Sequence, residues 1–67
     1  MNTETEVLGD YLHIQSAILD LCRFRKTIPK ELVLEFVDRS NALFAIEYHL
    51  ASEYRKEFEA SFKEATV

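Results

Sequence analysis

The chain contains one glycine, Gly9, and one proline, Pro29. Strand hairpins need glycine, asparagine-glycine or proline turns at each reversal, so a β-rich fold has nothing to turn with here. An all-α fold follows, its few reversals lying where helix-stop signals gather. At 67 residues the chain is one domain at most, spanning 1–67. A chain this short buries only about 60% of its unfolded surface, so its core needs outside support. The lone cysteine, Cys22, excludes an internal disulfide. With no Cys/His cluster and no charged-then-apolar leader, the expectation is a reduced, cytoplasmic protein supported by a second chain.

The first helix is read over about residues 5–25. Thr3-Glu4-Thr5-Glu6 has the spacing of a capping box, in which the threonine oxygen and Glu6 satisfy free backbone N–H groups at the helix start. Apolar residues then recur in two adjacent rows, Leu8, Tyr11, Leu12, Ile18, Leu19 and Cys22 beside Val7, Ile14, Ala17, Leu21 and Phe24. Gly9 interrupts this pattern, which points either to fraying or to a close backbone contact. Arg23, Arg25 and Lys26 collect where cations oppose the negative end of the helix dipole, and Pro29 follows. The turn is therefore placed at 26–28. Proline suits the first turn of a helix and pushes Ile28 into an N-cap geometry, with Glu31 at the capping-box position.

The second helix raises the main architectural question. Asp38, Arg39, Ser40 and Asn41 form a polar tetrad between two apolar segments. If the helix runs through it, apolar positions recur after seven residues, and they do: Phe36 and Val37 map onto Leu43 and Phe44, then onto Leu50 and Ala51. The reading is one long helix over about 29–63. The alternative is a three-helix bundle with a break near Ser40–Asn41, where either residue can cap a third helix.

A helix of that length is roughly 52 Å long against about 30 Å for its partner, at about 1.5 Å per residue. In an antiparallel hairpin the first helix runs out near position 52. Tyr54, Phe58 and Phe62 then continue from Leu50 in steps of four as an uncovered aromatic ridge. Large contiguous apolar surface marks an interface. The expected assembly is a homodimer of hairpins in a four-helix arrangement, the long helices antiparallel so that acidic stretches meet Arg55, Lys56 and Lys63. The partner-binding residues are Phe44, Tyr48, Leu50, Tyr54, Phe58 and Phe62.

Hydrophobic residues make up 48% of the chain, too many for a disordered tail, and the longest apolar run, Ala42 to Ile46, is far too short to cross a bilayer. A net charge of −4 gives no drive toward nucleic acid or an anionic membrane. Against that background Arg23, Arg25, Lys26 and Lys30 form a local basic tip suited to nucleic acid or an acidic partner, although dipole compensation at a helix end explains the same residues. His13 has Ser16 three residues on and His49 has Glu53 four residues on, but neither pair is specific for metal binding or catalysis. The residue three before His49 is Ile46, so the Glu-x-x-His repeat of di-metal bundles is absent. No metal, cofactor or small-molecule substrate is expected.

The functional expectation is a small non-enzymatic interaction module, homodimeric, that modulates a larger regulatory or host protein through its aromatic helix surface. Small helical hairpins include many such regulators, bacterial and phage-encoded ones among them, an analogy of size and fold alone. The alternative is a nucleic-acid-associated transcriptional regulator using the basic tip.

Overall fold

The computed structural model describes residues 3–66, Thr66 by its backbone alone. Three α-helices follow one another, α1 over Thr3–Arg23, α2 over Lys30–Ile46 and α3 over Tyr48–Thr66. No strand occurs among the described residues. Each helix packs on the other two, within extents of 36 × 21 × 16 Å.

α1 starts at Thr3 with Glu4 and Glu6 in its first turn, where carboxylates complement the positive end of the dipole. It stops two residues sooner than the cationic cluster suggests. Lys26 N–H donates to the Leu21 carbonyl at 2.8 Å and Arg25 N–H to the Cys22 carbonyl at 3.1 Å, the paired bonds of a Schellman motif. That motif places one residue in the left-handed region, and here it is Arg25, at φ 55°. Glycine occupies such a site without strain, whereas an L side chain costs about 1 kcal/mol there. Having only one glycine, the chain ends α1 on a strained arginine.

Pro29, not Ile28, is the N-cap of α2. Its φ of −60° and ψ of 143° hold it in extended geometry, and its carbonyl accepts from Leu32 and Val33 N–H at 3.1 and 3.2 Å. α2 then begins one residue later than its proline suggests, and Ile28 is released to pack on the core.

The polar tetrad lies wholly inside α2, so neither Ser40 nor Asn41 caps anything. The helix nevertheless does not run on to residue 63. It is broken at Glu47, whose φ of −143° and ψ of 91° turn the chain so that α3 returns along α2. The single long helix gives way to two, and the alternative break is displaced from Ser40–Asn41 to Glu47. The physical reason is coverage. Folding back sets Phe58 against Phe36, with ring centroids 4.6 Å apart, and Tyr54 toward Tyr11 at 6.5 Å. Burying Phe58 contributes roughly 1.5–3 kcal/mol, and the buried Ala51 and half-buried Tyr54 add to it. The bend forgoes three helical hydrogen bonds, worth about 0.5–1.5 kcal/mol apiece against water.

The shared core is Tyr11, Ile14, Ile18, Leu19 and Cys22 of α1, Phe36 and Leu43 of α2, and Ala51 and Phe58 of α3. Cys22 is free and buried among them as a small hydrophobe. Gly9 has ordinary helical geometry, and a Cβ built on it meets nothing within 4 Å. That excludes a close backbone contact as the reason for glycine there. Replacing Gly9 with alanine is expected to raise stability by about 0.5–1 kcal/mol, because the methyl adds no clash and restricts the unfolded chain. Urea unfolding followed by circular dichroism checks this: the midpoint should rise at unchanged slope, and a fall would mean that the residue serves something other than helix α1.

Candidate functional site

Of the six residues expected to bind a partner, the fold spends some on the interior and scatters the rest. Phe58 is buried, while Tyr54 and Phe44 are half-buried against the core. Leu50 is also half-buried, and Tyr48 and Phe62 remain exposed. Phe62 stays in contact with Phe58, ring centroids 5.7 Å apart. The ridge is therefore not a single exposed surface. The spacing of four that revealed the ridge also packs α3 onto α2, and the bend at Glu47 turns Phe58 inward.

A different apolar surface stays open. Val33, Leu34 and Val37 project from the side of α2 away from Phe36 and Leu43, with Leu34 59% exposed. Two turns beyond Val37 comes Phe44, whose ring meets that of Tyr48 edge-on at 5.5 Å. Tyr48 is 65% exposed, the first residue of α3 and directly past the bend. Ile46 is exposed beside the same corner. In a chain with so few core residues, these large apolar side chains are left in water. Val33, Leu34 and Val37 lie beside the row of Phe36, Ser40 and Leu43, and α1 and α3 between them bury only that row.

The basic tip is only partly available. Arg23 is paired with Asp20 at 3.1 Å, and Arg39 with Asp38 at 3.0 Å. Arg25, Lys26 and Lys30 are exposed around Phe24, itself 72% exposed. Phe24 and these three cations are thus exposed near one another in sequence, between the end of α1 and the start of α2. His13 and His49 are exposed on different helices. Among the described residues no three of His, Cys, Asp and Glu gather closely enough to hold a metal ion. No helix among them is long and apolar enough to cross a membrane.

The feature that sequence reasoning missed lies between the helices. Arg55, expected to face a second chain, turns inward: Nη1 donates to Ser40 Oγ at 3.2 Å, and the guanidinium sits over the Phe36 ring at 5.1 Å. Its Nε stands 3.5 Å from Glu59 Oε1, an ion pair one helical turn along α3. Ser40 is 2% exposed, so the tetrad's one buried member is the acceptor this arginine needs. The Tyr11 hydroxyl is buried with no hydrogen-bond partner, as is Gln15 Oε1 one turn further along α1. Burial raises the Tyr11 phenol above its ordinary range; Arg55 draws it back and Glu59 adds to the rise. In comparisons with protein-family models, curated proteins and solved structures, nothing matches the chain.

A phenol whose folded pKa exceeds its unfolded value stabilises the fold in the neutral form. That contribution is complete below the unfolded pKa near 10 and is lost as pH rises through the higher folded value. Tyr11→Phe removes an unpaired buried hydroxyl and keeps the ring against Phe36 at 5.6 Å. The variant is expected to match or exceed the parent by up to about 1 kcal/mol at neutral pH. It should also unfold at a more alkaline pH, measured by circular dichroism across a pH titration. A loss above about 1 kcal/mol would mean that the hydroxyl is satisfied in solution.

Proposed function

We propose that the chain is a non-enzymatic protein-interaction module, working in the cytoplasm, that docks on a larger regulatory or host protein through the outer face of α2 and the Phe44–Tyr48 corner. One observation carries this reading. Leu34, Val37 and Tyr48 lie in water although the molecule is too small to neglect apolar surface. Tyrosine and phenylalanine supply large contact areas at low entropic cost, which suits Tyr48 and Phe44 to anchor a partner. The same face serves self-association: a second copy laid along α2 covers Val33, Leu34 and Val37 on both chains and gives the homodimer a two-fold interface. The bend at Glu47 removes the earlier reason for a dimer, an uncovered Phe58, and leaves this face as the surface a second copy would bury.

A second reading rests on Phe24, exposed among Arg25, Lys26 and Lys30. An aromatic ring among cations can stack on a base while the cations meet phosphates. The net charge of −4 weighs against it, because nucleic-acid affinity is dominated by counterion release from a basic surface.

Two double variants separate the readings. Leu34→Glu with Val37→Glu places charge on the apolar face, and Arg25→Glu with Lys26→Glu inverts the tip. All four side chains are exposed, so helix content and melting temperature should change little. The α2 pair is expected to lose partner capture from host lysate by at least about tenfold, with little dependence on salt. Capture unchanged by the α2 pair, abolished by the tip pair and falling steeply with salt would transfer the function to nucleic acid.

A further inference from the structure

Glu47 breaks the helix without any of the residues that ordinarily break one. From Ala45 to Leu50 there is neither glycine nor proline. Two backbone hydrogen bonds of helical spacing already bridge the junction, Glu47 N–H to the Leu43 carbonyl at 2.8 Å and Ala51 N–H to the Glu47 carbonyl at 3.0 Å. Between them the N–H groups of Tyr48, His49 and Leu50 open α3 without helical acceptors, opposite the carbonyls of Phe44, Ala45 and Ile46 that close α2. Rotating Glu47 alone into helical dihedrals would join all three pairs.

The apolar pattern is in phase across the break. Phe36, Ser40, Leu43, Glu47, Leu50, Tyr54 and Phe58 succeed one another at spacings of four and three, the repeat of one uninterrupted helix stripe. Phe36, Ser40, Leu43 and Phe58 of this stripe are buried and Tyr54 packs against the core, so the bend answers to coverage and not to register. Straightened, Lys30–Thr66 would be one helix of roughly 55 Å. Tyr54 and Phe58 would then project beyond α1 and α2 of their own chain, and the groove between those two helices would stand empty.

A second copy in the same state offers the missing piece to each. We propose that α3 is an exchangeable arm: the Glu47 junction straightens, and two chains fill each other's α1–α2 groove with α3. The exchanged pair makes every core contact of the closed chain, including Phe58 on Phe36, Tyr54 toward Tyr11 and Arg55 on Ser40, now between copies. It adds the three junction hydrogen bonds and brings the exposed Ile46 and Tyr48 of both chains together where the long helices cross. Exchange of identical elements is a low-cost route to a dimer for this reason: the closed interface is reused and only the hinge differs. The one feature opposing it is the charge of Glu47, which in the straight form sits within the apolar stripe between Leu43 and Leu50. The arm is independent of the α2 docking face, since Val33, Leu34 and Val37 lie outside both the groove and the hinge.

The test reads mass and intrachain distance together. Spin labels on Glu35→Cys and Glu57→Cys, in a Cys22→Ala background and diluted with unlabelled chain, sit beside the Phe36–Phe58 contact. They should be about 10–20 Å apart when α3 is folded back on α2 and roughly 33 Å apart on one straight helix. Protein refolded at high concentration should give a two-chain mass whose intrachain distance is the long one. Glu47→Leu should raise that population, because leucine fits the stripe. Tyr48→Pro should abolish it, because proline is tolerated at the first position of α3 and not within a continuous helix. Tyr48→Ala, which removes the ring and keeps the amide, should retain it, as should Leu34→Glu. A Glu47→Leu protein that stays at one-chain mass would overturn the proposal. So would a two-chain mass showing only the short distance, which would place the dimer on the α2 face instead.

Discussion

The contact between Phe58 and Phe36, 4.6 Å between ring centroids, makes a bundle out of what would otherwise be a hairpin with a loose tail. Everything on α3 depends on it. With Phe58 in place, Tyr54 comes within 6.5 Å of Tyr11, Ala51 is buried, and Arg55 is carried over the Phe36 ring to reach Ser40. The arginine's position is a consequence and not a cause: its hydrogen bond to Ser40 at 3.2 Å replaces one with water, while the burial of Phe58 has no counterpart in the open chain.

The helical class, a reversal ahead of Pro29 and a helix start near it were legible because each has a local cause: cations at a dipole end, a proline at a helix start, no turn chemistry for strands. The length of the helix after Pro29 was not. The interior stripe from Phe36 to Phe58 keeps its phase through Glu47, so no count of apolar spacings can detect the bend there. The polar tetrad drew attention to the wrong place for a related reason. Ser40 is polar because it accepts from Arg55, a long-range pairing fifteen residues apart that nothing local announces. Asp38 and Arg39 are polar because they pair with each other at the surface. Two unrelated causes side by side look like a turn.

The homodimer expected from the sequence rested on Tyr54, Phe58 and Phe62, of which the chain buries Phe58 and half-buries Tyr54 by itself, yet the shortage of cover was real and has only moved. α1 and α3 between them bury one row of α2, and the second row, Val33, Leu34 and Val37, is left outside. A longer α1, or a fourth helix, would have covered it. The candidate surface is thus set by helix count and not by any binding motif, and for that reason it could be found only once the number of helices was known.

The distribution of polar and apolar groups is inverted at two places, and the inversion argues for use. Tyr11 and Gln15 bury polar atoms without partners, and Arg55 spends a charge between helices. Meanwhile Leu34, Phe24 and Tyr48 stand in water. Exchanging these roles, with apolar groups at the junction and polar ones on the outer face of α2, would raise stability at no visible cost to the fold. Chains depart from such local consistency chiefly where function requires it. The exposed half, Leu34 and Tyr48 above all, fits the docking face proposed for α2. The buried half suits an arm that must release: an α3 seated partly through Arg55, Ser40 and Glu59 gives up bonds that water can replace, so opening it forfeits less than an all-apolar seam of the same area would.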